Sequence, residues 1–81
     1  MEVTVYTRAG CHLCDEAVAL LGRFGLTSRL VDIDADPALR ERYTDCVPVV
    51  FFDGRERFRG RIDPRLLRRL LRARGKAGGG R

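Results

Sequence analysis

Two cysteines three positions apart, Cys11 and Cys14, are the residues of this 81-residue chain best suited to chemistry. A thiolate, not a thiol, attacks a disulfide, and a free cysteine with a pKa of about 8.5 is mostly protonated at neutral pH. Residues three apart on a helix share a face, so Cys14 can reach Cys11 and close a short disulfide. The spacing therefore predicts thiol–disulfide exchange, with metal binding as the other chemistry open to such a pair.

The position of the pair favours redox chemistry over two unrelated buried cysteines. It follows the alternating segment Glu2–Tyr6, which predicts a β-strand, and a loop at residues 7–10. An apolar stripe with helical spacing begins at about His12, so Cys11 falls at the N-terminus of a helix. Unpaired backbone N–H groups and the positive end of the helix dipole favour a thiolate there.

The two cysteines are predicted to have different roles. We expect Cys11 to attack a substrate disulfide and form a mixed disulfide, which Cys14 then resolves. Cys14 lies deeper in the helix and is expected to be the less exposed and less acidic thiol. Arg8 is close to Cys11 in the sequence and can add a positive charge, as can a protonated His12, and both residues are expected to contact the substrate.

The rest of the chain predicts the element order β-α-β-α-β-β-α. Aspartate followed by proline opens two of the helices, and an Asp-Gly pair forms a hairpin turn. The expected elements are the strand Glu2–Tyr6, a helix from about His12 to Phe24, the strand Ser28–Asp34, a short helix opened by Asp36-Pro37, the central strand Val47–Phe52, the charged edge strand Arg55–Arg59, and a helix opened by Asp63-Pro64 with the core stripe Leu66, Leu67, Leu70 and Leu71.

These elements predict an α/β fold with one mixed four-stranded sheet and helices on both faces. A helix joins the first two strands, so they are expected to be parallel, whereas the hairpin makes the last two antiparallel. One domain is expected over residues 1–75. Gly75 is predicted to end the last helix, and residues 76–81 form a basic, glycine-rich segment predicted to be a disordered tail.

Composition restricts the partners. The net charge of +5 comes mainly from arginines spread over many segments, and no aromatic residues interleave with the densest run, residues 65–74, so nucleic acid is not expected. No apolar stretch approaches the roughly 20 residues that span a bilayer, so no membrane partner is expected. The N-terminus has no basic export signal, which predicts a cytoplasmic protein in which thiols stay reduced. We expect a monomer.

A second segment, Cys46-Val47-Pro48, leads into the central strand. Proline is unusual there because it cannot donate to the sheet, and the sequence allows either a cis or a trans Val47–Pro48 bond. Cys46 is a third thiol. It can form a mixed or regulatory disulfide, complete a three-cysteine metal set, or simply fill a small buried site.

The segment Tyr6–Cys14, together with Val47–Val50 and Asp53-Gly54, resembles the glutaredoxin branch of the thioredoxin superfamily. Within it, Gly10–Ala17 is similar to a group of short bacterial glutaredoxin-like proteins with a Gly-Cys-His-Leu-Cys motif. The resemblance covers about residues 2–74. It implies a thioredoxin-like fold of the glutaredoxin type.

The resemblance also implies roles for single residues. Cys11 matches the nucleophile and Cys14 the resolving cysteine. Pro48 matches a cis-proline that lies against the active pair, and Val47 the residue whose backbone holds a bound thiol peptide. Arg8 stands where glutaredoxins usually carry a lysine near the glutathione carboxylate.

The departures from the family pattern concern the reductant. His12-Leu13 replaces the usual Pro-Tyr pair between the cysteines, and Cys46 replaces a threonine. Of the family's glycine- and aspartate-rich turn, only Gly60 and Asp63 match. The electron donor therefore stays open between glutathione and another thiol reductant.

The leading hypothesis is a dithiol oxidoreductase that reduces protein or low-molecular-weight mixed disulfides with electrons from a thiol reductant. It is expected to hold no bound cofactor and no metal. Two alternatives use the same residues differently: a metal or iron–sulfur carrier, and a non-catalytic thioredoxin-like module that binds a partner.

Overall fold

The computed structural model of the protein describes residues 1–79. The elements run in the predicted order, which confirms the α/β prediction. They are β1 (Val3–Thr7), α1 (His12–Arg23), β2 (Ser28–Asp32), a 3₁₀ turn (Ile33–Ala35), α2 (Pro37–Tyr43), β3 (Val49–Phe52), β4 (Arg55–Arg59) and α3 (Pro64–Gly79).

The four strands form one sheet in the order β2-β1-β3-β4. Strands β1 and β2 are parallel, and β3 is antiparallel to both β1 and β4. This arrangement confirms the predicted crossover and hairpin. The C-terminal ends of β1, β2 and β4 and the start of β3 therefore lie at one end of the sheet, where the predicted site residues are also found.

Alternation along the strands divides the interior into two clusters. Val3 and Val5 of β1 face α1 and α3, where Leu21 and Leu67 are fully buried. On the opposite face of the sheet, α2 packs over a second cluster of Ile33, Tyr43 and Val49, against which Tyr6 and Phe51 pack. Helices thus cover both faces. The short α2 is long enough to cover its face because aromatic rings fill much of the second cluster.

Strand β2 ends earlier than predicted, at Asp32 rather than Asp34. The Asp32 carboxylate accepts the Asp34 N–H at 3.0 Å, a local turn that competes with continued strand pairing. Ile33 is fully buried in the 3₁₀ turn instead of the strand. The side chain of Leu30 is 56% exposed because β2 lies at the edge of the sheet.

Helix α3 differs from its prediction in two ways. Leu66 is exposed, because it lies about 100° around the helix from the buried Leu67. The helix also passes Gly75 and continues to Gly79, since glycine costs about 1 kcal/mol in a helix without forbidding its geometry. The predicted disordered tail, residues 76–81, thus begins inside α3, and residues 80 and 81 lie outside the described residues. No helix among residues 1–79 is long and apolar enough to cross a membrane.

The β3–β4 turn depends on two residues with positive φ, Asp53 at 51° and Gly54 at 85°. These values are those of the tight hairpin turn that Asp-Gly sequences favour. Asp53 also holds the N-terminus: its N–H donates to the Glu2 carbonyl and its Oδ1 accepts the Glu2 N–H, both at 2.8 Å.

Two glycine-to-alanine substitutions test the left-handed conformation of the turn, because they are expected to change the free energy of unfolding in opposite directions. A Cβ added at either Gly54 or Gly22 meets no atom within 4 Å, so only backbone conformation differs. We expect Gly54→Ala to lower the free energy of unfolding by about 1–2 kcal/mol, because its φ is left-handed. Gly22→Ala, in helical conformation, should raise it by about 0.5–1 kcal/mol. Urea unfolding of both variants measures the difference; equal shifts would contradict the assigned turn.

Candidate active site

Cys11 is the N-cap residue of α1. Its backbone is extended, with φ −91° and ψ 106°, and its Sγ accepts the backbone N–H of Cys14 at 3.2 Å. The first helical bond follows, from the Asp15 N–H to the Cys11 carbonyl. A side chain that caps a helix normally carries oxygen, so here sulfur occupies the position where N–H groups converge. The structure therefore brings the two cysteines together at the N-terminus of α1.

The two thiols occupy different environments. Cys11 is half-buried, whereas the side chain of Cys14 is only 2% exposed. Burial, followed by the hydrogen bond and the charge of Cys11, raises the pKa of Cys14 from its ordinary 9.0 to about 11. The backbone amide of Arg8 opposes part of this rise in the pKa. Cys14 is thus held as a neutral thiol at physiological pH.

The Arg8 side chain points to a carboxylate. Its Nε donates to Oδ2 of Asp34 at 3.0 Å, and its Nη1 donates to the Thr44 carbonyl at 3.4 Å. The hydrogen bond and charge of Asp34 raise the pKa of Arg8. Its positive charge is consequently shared with Asp34, and its predicted contact with a substrate stays a prediction. Arg8 instead ties the loop before Cys11 to the 3₁₀ turn and to the end of α2.

His12 and Leu13, the two residues between the cysteines, face different surroundings. His12 is the first residue of α1 and is exposed, and its side chain makes no hydrogen bond or ion pair within the described residues. Leu13 is half-buried. A substrate contact of His12 stays a prediction.

The segment before β3 supplies the other predicted residues. The Val47–Pro48 peptide bond is cis, and Pro48 is fully buried. The Pro48 carbonyl accepts the Gly60 N–H at 2.7 Å, which joins this segment to the end of β4. Val47 is half-buried, and neither its N–H nor its carbonyl has a hydrogen-bond partner among residues 1–79.

Cys46 packs partly against the second cluster, beside Tyr43. Its Sγ accepts a hydrogen bond from Nη1 of Arg59 at 3.6 Å. The same guanidinium binds both carboxylate oxygens of Glu56, at 2.9 and 3.0 Å, and holds the pKa of that carboxyl below its usual range. In the described part of the chain, no three His, Cys, Asp or Glu side chains are grouped so that they can hold a metal ion. A three-cysteine metal set is therefore not formed there.

The sequence pattern predicts neither the contact of Arg59 with Cys46 nor a groove along α1, the helix that Cys11 caps. The contact of Arg59 with Cys46 depends on the position of a strand end relative to a loop, which no local pattern indicates. The groove, called the α1 groove below, has a volume of about 670 Å³ and lies between α1 and residues 61–64. It is lined along α1 from Leu13 to Arg23. The helical spacing of Leu13, Ala17 and Leu20 predicts an apolar stripe, but not that part of it stays open.

Comparisons with known proteins agree with this geometry. A protein from X. campestris, XcR50, has a crystal structure that is similar with a TM-score of 0.76 and 40% identity, covering 88% of this chain and 96% of that one. Glutaredoxin from Brucella melitensis is similar with a TM-score of 0.65 and 30% identity, covering 98% of this chain and 86% of that one. The Mycobacterium tuberculosis protein Rv0508 is 33% identical over 76 residues, which cover 83% of this chain and 78% of that protein.

The glutaredoxin-like domain family (DUF836) matches residues 2–72, nearly all of the described chain. The mixed sheet, the helices on its two faces and the relatives agree with that match. The chain therefore belongs to the glutaredoxin-like domain family of the thioredoxin superfamily.

Proposed function

We propose that this protein is a thiol–disulfide oxidoreductase that reduces protein or low-molecular-weight mixed disulfides through Cys11 and Cys14. One observation carries the proposal: Cys11 Sγ accepts the Cys14 N–H at the start of α1, while the Cys14 thiol is buried behind it. A half-exposed sulfur in this position is reachable by a substrate and has a main-chain donor for its negative charge.

In the first step the Cys11 thiolate attacks one sulfur of the substrate disulfide. A bond forms between Cys11 Sγ and that sulfur, the substrate S–S bond breaks, and the other sulfur leaves as a thiolate. Cys11 is more accessible than Cys14 and is therefore the sulfur that a substrate meets first.

In the second step Cys14 loses its proton to solvent and attacks Cys11 Sγ, releasing the remaining substrate sulfur as a thiolate. The charge on Cys11 has disappeared in the mixed disulfide, so two of the influences that raise the pKa of Cys14 are gone. Burial and the nearby charge of Asp15 are then the influences that still raise its pKa. Cys14 thus becomes the more reactive thiol after substrate is attached, which orders the two steps.

The cycle moves two electrons from the dithiol to the substrate and leaves a Cys11–Cys14 disulfide. A thiol reductant, either glutathione or another thiol, must return those electrons, which a reducing compartment such as the cytoplasm provides. We further propose that the unpaired backbone groups of Val47 hold an extended substrate segment beside Cys11, as a neighbouring strand would. A monomer suffices for these steps.

Three substitutions separate the roles of the cysteines. We expect Cys11→Ser to abolish disulfide reduction, because it removes the attacking sulfur. Cys14→Ser should stop turnover after one attack and accumulate mixed disulfides that mass spectrometry detects. Cys46→Thr is the matched control and should retain at least half of the wild-type rate. Insulin reduction with a thiol reductant measures the rates; full activity of Cys11→Ser would rule out the assigned nucleophile.

The neutral state of Cys14 can be tested without an activity assay. Its pKa is about 11 in the folded protein against an ordinary 9.0, so the unfolded chain releases this proton first as the pH rises. The stabilising contribution is therefore complete below pH 9 and is lost as the pH rises towards 11. We expect a loss of up to about 3 kcal/mol in the free energy of unfolding.

Urea unfolding in the presence of a reductant at pH 8, 9 and 10 measures this loss. The variant Cys14→Ala shares every other titrating group and should show a flatter profile across the same range. Parallel profiles for the two proteins would mean that Cys14 titrates normally in the folded state.

A further inference from the structure

The α1 groove runs along the helix that Cys11 caps but takes no part in the two exchange steps. Its volume of about 670 Å³ is in the range of binding sites for organic ligands, roughly 300–1,000 Å³. Leu13, which stands between the two cysteines in the sequence, lines the groove. A molecule bound in the groove therefore has one end at the first turn of α1, the turn that Cys11 caps.

The length of the groove indicates the size of its ligand. Leu13 and Arg23 both line it and are ten residues apart on α1, a distance of about 15 Å along the helix axis. An extended peptide advances about 3.3 Å per residue, so four or five residues match that length. A single small thiol covers only the end beside Leu13.

The lining indicates the chemistry of the ligand. The buried side chains of Ala17 and Ile62 and the half-buried Leu20 give part of the groove an apolar surface, and charged residues also line it, namely Glu16, Arg61 and Asp63. The Asp63 carboxylate already accepts the Arg65 N–H at 2.9 Å. Arg23, at the end of α1, is exposed, and its guanidinium makes no hydrogen bond or ion pair within the described residues. A free guanidinium at the end far from the cysteines matches a carboxylate, which it can bind with two parallel hydrogen bonds.

We propose that the α1 groove binds the peptide segment next to the disulfide of a protein substrate. The segment places apolar side chains against Ala17, Leu20 and Ile62, and an acidic side chain, four or five residues from its cysteine, against Arg23. This inference rests on the proposed function, because the segment is the flank of the disulfide that Cys11 attacks. It makes a protein disulfide, rather than a glutathione-sized one, the preferred substrate class.

The experiment compares two synthetic six-residue peptides, each carrying a cysteine as a mixed disulfide with 2-mercaptoethanol. Both have apolar residues after the cysteine and differ only in the last residue, glutamate or lysine; a second pair has the cysteine at the other end. The measured quantity is the ratio of kcat/KM for the glutamate peptide to kcat/KM for the lysine peptide. Because it is a ratio, it cancels any loss of folded protein.

We expect wild-type protein to prefer the glutamate peptide about tenfold in at least one of the two orientations. Arg23→Gln should bring the ratio close to one, and Arg23→Glu should invert it. Arg29→Glu, an equal change of charge on an exposed residue of β2, is the control and should keep the wild-type ratio. A wild-type ratio near one, or an unchanged ratio in Arg23→Glu, would overturn the inference.

Failure of the proposed function gives a different result. Wild-type protein would then reduce neither peptide nor bis(2-hydroxyethyl) disulfide, and the groove is tested by binding alone. Fluorescence anisotropy of labelled peptides with serine in place of cysteine measures this binding. A glutamate preference that Arg23→Glu inverts supports the groove even without redox activity, and equal or undetectable binding of both peptides overturns it.

Discussion

The hydrogen bond from the Cys14 N–H to Cys11 Sγ is the interaction on which the site depends. It makes a sulfur the cap of α1, so the start of the helix and the position of the nucleophile are determined together. It also requires Cys14 to lie in the first turn, where the helix packs on the sheet and the thiol is buried. The accessible thiol of Cys11 and the buried, protonated thiol of Cys14 both follow from this geometry.

Loops at the same end of the sheet as that helix start are joined to one another by hydrogen bonds. Arg8 joins the loop after β1 to Asp34 and to the carbonyl of Thr44. The Pro48 carbonyl accepts the Gly60 N–H and so joins the approach to β3 with the exit from β4. These contacts are single hydrogen bonds between distant parts of the chain, so they form only where the sheet aligns the loops.

Much of the fold can be predicted from the sequence, because the relevant signals are local. The Asp-Gly turn, the aspartate caps and the continuous apolar strand each specify an element without reference to the rest of the chain. The same is true of the cysteine pair at a strand–helix junction. The exposure of Leu66 depends on the rotation of α3, and the place of Ile33 in a 3₁₀ turn depends on where β2 ends. Local signals specify neither of these. The pairing of Arg8 with Asp34 and of Arg59 with Cys46 needs the tertiary structure, as side chains 26 and 13 residues apart meet only after folding.

Within residues 1–79, strand β2 has a neighbouring strand on one side of its backbone and none on the other, and the exposed Leu30 is followed by Val31 at that edge. Open edges of this kind invite pairing with a second molecule. Arg29 and Asp32 flank the two apolar residues and are exposed, so each approach of another strand must desolvate a charge. These two charged residues therefore oppose aggregation through the edge of β2. This protection depends on charge, so it weakens when salt screens the side chains.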